Sequence, residues 1–158
     1  MDELRLNQEL EKWVKERLPR YPTKRSLLVP TLLEAQKYHG HISPSLAEAL
    51  GALLDTTPRD VLSVASFYTL VNKHPVGKHV IQLCHNVSCF LNGCDDIAAY
   101  IEEKLGVKAG GTTEDGKFTF ITVECLAACG NGPVMLVDEK LYENLTPEAV
   151  DRALAEAN

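Results

Sequence analysis

Five cysteines, at positions 84, 89, 94, 125 and 129, lie in the middle of a 158-residue chain whose first 83 residues contain none. Four of them form two spaced pairs, Cys84-x4-Cys89 and Cys125-x3-Cys129, with 35 residues between the pairs. In a reducing compartment, clustered cysteines read first as metal ligands or redox groups rather than structural disulfides. Four thiolates suit a zinc ion or an iron–sulfur cluster. Structural zinc commonly takes knuckles with two residues between ligands, and neither pair has that spacing. A four-residue gap occurs in plant-type 2Fe–2S ferredoxins, although the rest of their spacing is absent here. Spacing therefore favours a 2Fe–2S cluster on Cys84, Cys89, Cys125 and Cys129, and leaves zinc or metal-free thiol redox chemistry open.

The odd cysteine is Cys94. We read it as a packed or half-exposed small residue at a helix start, where the helix terminus would lower its thiol pKa. The run Cys129-Gly130-Asn131-Gly132-Pro133 is rich in residues that let backbone amides approach sulfur, and each glycine also fits an ordinary turn. His39, His41, His74 and His79 show no ligand spacing and are expected in solvated or capping roles. His85 adjoins a proposed ligand, but a Rieske-like centre would need a second histidine in the other loop, and none is there. Phe67 and Tyr68 are expected to pack in a helical core. No dinucleotide fingerprint, P-loop, nucleophile elbow or CxxC redox motif occurs.

The surrounding elements explain how the pairs could meet. Residues 78–84 (KHVIQLC) read as a strand and 94–105 as an amphipathic helix with Ile97, Tyr100, Ile101 and Leu105 on one face. Residues 117–125 alternate as a second strand after an Asp115-Gly116 turn, 134–138 and 140–145 read as a hairpin, and Thr146-Pro147 opens a last helix through Ala157. A strand–helix–strand unit makes parallel strands joined by a right-handed crossover, and ligands sit beyond their C-terminal ends. Cys84 and Cys125 would close those strands at one edge, each followed by a loop bearing its partner.

The first half reads as four short helices: residues 2–18, Ser26–His39 ended by Gly40, one opened by Ser43-Pro44, and one over 56–71 opened by Thr57-Pro58. We place a helical bundle over residues 1–74 and an α/β domain over 75–158. Apolar residues make up 45% and charged residues 24%, which excludes a disordered or collagen-like chain. No apolar run approaches the roughly 20 residues a bilayer requires, and the opening residues lack a signal-peptide core, so we expect a soluble intracellular protein. Residues 1–77 carry 10 basic against 9 acidic side chains and residues 78–158 carry 6 against 13. An acidic second half excludes phosphate-backbone binding and suits a basic protein partner.

The segments CHNVSC (84–89), FLNG (90–93), TTEDGKFTF (112–120) and ECLAACGNGPV (124–134) resemble the thioredoxin-like 2Fe–2S ferredoxin subunit of NADH dehydrogenase, which is the E subunit of bacterial respiratory complex I. VASFYTL (64–70), LLEAQKYHGHIS (32–43) and PVGKHVIQLC (75–84) resemble that family's helical part and junction. The resemblance implies an N-terminal helical bundle followed by a thioredoxin-like α/β ferredoxin domain. It carries the cluster ligands onto Cys84, Cys89, Cys125 and Cys129. It also implies a flavoprotein partner holding FMN, a 4Fe–4S cluster and the NADH site, and a large iron–sulfur subunit. No direct membrane insertion or nucleic-acid binding is expected, and the location implied is cytoplasmic, peripheral to the inner face of the cell membrane. The family also serves NAD-linked hydrogenases and formate dehydrogenases. Two positions depart from it: Cys94, commonly not cysteine, and Gly132, often alanine. The expected function is one-electron transfer in an NADH:quinone oxidoreductase, with no substrate chemistry in the isolated chain; a zinc-stapled interaction module is the reading from another class.

Overall fold

A computed structural model describes residues 6–157. Contacts divide the chain into two units, one ending at Pro75 and one beginning at Val76.

In the first unit, each helix starts where a short polar side chain can take an unpaired N–H. Asn7 accepts from the Glu9 N–H and opens α1 (Gln8–Arg17); residues 2–5 of the expected first helix lie outside the described residues. A 3-10 turn over Lys24–Leu27, capped by Thr23, leads into α2 (Leu28–His39). Pro30 therefore sits in the first turn, where its missing N–H costs nothing. Ser43 and Thr57 cap α3 (Pro44–Leu53) and α4 (Pro58–Phe67), each with proline at the first position. Leu10, Val14, Leu32, Leu46, Leu50, Leu54 and Val61 are fully or almost fully buried together. Beyond α4, Gln36 holds the chain against α2: its side chain donates to the Leu70 carbonyl at 3.1 Å and accepts from the Asn72 N–H at 2.6 Å.

One expectation fails here. Phe67 is 79% exposed. The helix ends at Phe67, so its ring points off the apolar stripe; only Tyr68 packs against the core.

In the second unit the order is β1 (His79–Cys84), α5 (Val87–Leu91), α6 (Cys94–Leu105), β2 (Phe118–Val123), β3 (Met135–Val137), β4 (Lys140–Tyr142) and α7 (Pro147–Glu156). The sheet order is β2-β1-β3-β4, with β1 and β2 parallel and the other pairs antiparallel. Ile81 and Leu83 of β1, Phe120 of β2 and Met135 of β3 bury against Ile97 and Ile101 of α6 and Val150 and Ala153 of α7. Gly77 admits the chain to β1, since a Cβ there would stand 2.8 Å from the Phe118 carbonyl carbon. Its N–H donates to the buried Thr119 hydroxyl at 2.6 Å. The register sets Cys84 opposite Val123, so both parallel strands end at one edge.

Candidate metal centre

Cys84 is the last residue of β1, and its N–H donates to the Val134 carbonyl at 3.0 Å. The His85 N–H continues the ladder to Val123 O at 2.9 Å. The chain then turns at Asn86, whose side chain caps α5 and whose Nδ2 donates to Glu124 Oε2 at 3.0 Å. Asn86 thus ties the loop after β1 to the loop after β2. The five-residue helix α5 delivers Cys89, which is buried. Its neighbour Ser88 donates to the Cys129 carbonyl at 2.7 Å, a second tie between the loops.

β2 ends at Val123, so Cys125 stands two residues beyond the strand rather than closing it. Ala127 adopts φ +62°, the left-handed region that costs a non-glycine residue about 1 kcal/mol or more. That bend turns the Ala127 N–H onto Cys125 Sγ at 3.3 Å. A 3-10 turn over Cys129–Asn131 brings Cys129 back, and its sulfur lies 3.5 Å from that of Cys125. Cys125 and Cys129 are exposed, whereas Cys84 and Cys89 are buried with Val134 and flanked by Leu126 and Ala128.

The thiols feel one another electrostatically. Burial pushes Cys84 up, but N–H groups of Asn86 and Leu126 and the Cys89 thiol outweigh it and hold Cys84 below an ordinary cysteine. Burial and donation to Cys84 push Cys89 up. Cys129 is raised by its hydrogen bond with Cys125, with a smaller push from Cys84. All four expected residues therefore converge from two loops.

These residues fit a thiolate-bound metal group. Two thiolates about 2.3 Å from one tetrahedral metal stand roughly 3.7–3.8 Å apart, close to the 3.5 Å between Cys125 and Cys129. Backbone N–H groups already aim at sulfur, which is how a protein stabilises anionic ligands. An added Cβ at Gly132 would lie 3.4–3.5 Å from Cys89, in ordinary contact, so alanine is accommodated there too.

Two other expectations change, those for Cys94 and His79. Cys94, the first residue of α6, is fully buried, and its thiol is pushed up to about 11, not lowered, by burial and by Asp95, Cys89 and Cys84. The helix terminus loses to desolvation and neighbouring negative charge. His79 is mostly covered and paired through Nδ1 with Asp138 at 2.7 Å. His85 Nε2 meets Asp95 Oδ1 at 2.6 Å. Sequence reasoning misses helix α5 and the roles of Asn86, Ser88 and Ala127. The Asn86 cap and the Asn92-Gly93 stop are the available signals for α5; nothing in the sequence marks Ala127.

The chain matches the family model for thioredoxin-like [2Fe-2S] ferredoxins over residues 14–158. It is 42% identical over 135 residues to the E 2 subunit of NADH-quinone oxidoreductase from Rhizobium meliloti (strain 1021), covering 85% of this chain and 80% of that protein. To the E subunit of NADH-quinone oxidoreductase from Escherichia coli (strain K12) it is 39% identical over 134 residues, covering 85% and 81%. Among solved structures, an air-oxidised NAD+-reducing [NiFe]-hydrogenase matches with a TM-score of 0.73 at 16% identity, over 83% of this chain and 22% of the other. That likeness is one of fold. No helix among the described residues is long and apolar enough to cross a membrane.

Proposed function

This chain belongs to the thioredoxin-like [2Fe-2S] ferredoxin family, and we propose that Cys84, Cys89, Cys125 and Cys129 hold its cluster in an electron-transfer subunit of an NADH:quinone oxidoreductase. The observation that carries the assignment is the convergence of four thiols at the end of two parallel strands, two of them 3.5 Å apart. When bound, a 2Fe–2S cluster takes up and releases one electron at a time. The chain's own residues do the rest. Cys84 and Cys89 form a buried pair of ligands and Cys125 and Cys129 an exposed pair. Ala127, Asn86 and Leu126 aim N–H groups at ligand sulfur. Leu126, Ala128 and Val134 shield the buried side from water.

The exchange partner we propose is the flavin of an NADH-oxidising subunit, with a large iron–sulfur subunit in the same complex, peripheral to the cytoplasmic face of the membrane. Relatives named as E subunits of NADH-quinone oxidoreductase, matched over about four-fifths of their length, support this reading. The test is to isolate the chain, tagged, with whatever it binds in its own cells. NADH should reduce the iron–sulfur cluster in the flavin-containing complex and leave that of the isolated chain oxidised. Cys129→Ser should lose iron. A complex without flavin, or full iron in Cys129→Ser, would refute the partner or the ligand assignment respectively.

A further inference from the structure

Beside the cysteine quartet, three donors of different chemistry face one another. One donor atom each from His85, Cys94 and Asp95 lies within 4.8 Å of the other two. His85 Nε2 is 2.6 Å from Asp95 Oδ1, and Cys94 Sγ is 3.9 Å from the same oxygen. His85 follows β1, while Cys94 and Asp95 open α6 after Gly93, whose φ of +85° makes the sharp entry. We propose that these three residues bind one divalent cation of the zinc class, separate from the cluster.

The donor set selects the ion. Imidazole nitrogen, thiolate and carboxylate are the groups zinc takes, at about 2.0–2.3 Å, whereas calcium and magnesium demand oxygen throughout. Donors around one such ion stand roughly 3–4 Å apart, so the trio closes on it with small side-chain movements. Without a cation, protons hold the trio together: the His85 N–H and the Cys94 S–H both donate to Asp95. A cation replaces them. The Cys94 thiol loses its proton to solvent, His85 presents the Nε2 lone pair with its proton on Nδ1, and nothing is oxidised or reduced. One thiolate and one carboxylate balance the two charges of the ion. His85 and Asp95 are exposed above the buried sulfur, which leaves an open side for a water as fourth ligand.

Cys94 packs against Cys84 and Cys89. On the cluster reading above, on which this consequence alone rests, the ion stands next to the cluster's ligands and favours its reduced form.

The test uses the full chain with its cluster in place. Zinc is added at one equivalent, excess is removed by gel filtration, and iron and zinc are counted. Zinc-edge X-ray absorption then identifies the ligands. We expect one zinc with iron unchanged, one sulfur neighbour and the remainder nitrogen or oxygen. His85→Ala and Asp95→Asn should each weaken zinc binding at least tenfold and leave iron content intact. Zinc should raise the midpoint potential of the unsubstituted protein and leave that of His85→Ala unmoved. Unchanged zinc affinity in both variants would overturn the site, as would four sulfur neighbours with iron lost. A chain isolated without iron would refute the cluster reading instead; the quartet would then take the first equivalent of zinc with four sulfur neighbours, and a second equivalent on the trio would lower the average to about two and a half sulfurs per zinc.

Discussion

The sulfurs of Cys125 and Cys129 lie 3.5 Å apart on an exposed loop, while Cys84 and Cys89 are buried. One face of the cysteine quartet is thus open to solvent and the other closed by Leu126, Ala128 and Val134.

That asymmetry sets the order in which thiols react once the metal is removed. Iodoacetamide should label Cys125 and Cys129 first and Cys94 last. With its thiol pushed up to about 11, Cys94 at pH 8 holds only ~10⁻³ of its population as the reactive thiolate. Timed alkylation with peptide mass spectrometry reads this directly. Equal labelling of all five cysteines would contradict the burial pattern.

Glu124 is held beside the quartet by Asn86, and its charge bears on Cys84. An added electron makes a cysteine-ligated cluster more negative, so a nearby carboxylate opposes reduction. Glu124→Gln should raise the midpoint potential by an amount on the order of tens of millivolts. A lower potential in Glu124→Gln, seen by spectroelectrochemical titration, would reverse this reading.

The positions of two apolar side chains in the helical unit separate packing from exposure. Leu50→Ala, at a fully buried site in α3, should cost about 2–5 kcal/mol. Phe67→Ala, at an exposed site, should change stability by no more than about 0.5 kcal/mol. Urea denaturation followed by circular dichroism checks both. A large loss at Phe67 would mean that its ring is covered in the isolated chain.

Much of this is legible in the sequence alone. Ser43-Pro44 and Thr57-Pro58 marked helix starts because a side-chain cap and a proline at the first position act locally. The parallel pairing of β1 and β2 follows from the strand–helix–strand order, and with it the common edge from which both cysteine loops leave. What escaped was set by tertiary context. Whether Phe67 faces in or out depends on where α4 stops. The state of Cys94 depends on burial among Cys84, Cys89 and Asp95, which outweighs a helix terminus. Ala127 adopts a left-handed bend that its own side chain disfavours, so only the surrounding loop dictates it.

Asp151 on α7 joins α6, receiving Lys104 Nζ at 2.9 Å and Tyr100 Oη at 2.8 Å. The Lys104 and then the Tyr100 hydrogen bonds hold its carboxyl below the usual aspartate range. A depressed folded-state pKa stabilises the protein above the unfolded value, near 4, and that contribution is lost as pH falls through the folded value. Asp151→Asn should be less stable than the natural protein at pH 7, with the gap narrowing below about pH 4. Parallel urea melts across that range test it; a gap that stays constant or widens in acid would show the clamp is not ionic.

The most direct test of the cysteine assignment is to purify the chain anaerobically, assay iron, sulfide and zinc, and record electron paramagnetic resonance before and after dithionite. A 2Fe–2S cluster on Cys84, Cys89, Cys125 and Cys129 predicts about two irons and two sulfides per chain, silent when oxidised, with a signal from one unpaired spin on reduction. One zinc in place of iron, or no metal with all thiols free and no signal on reduction, would contradict it.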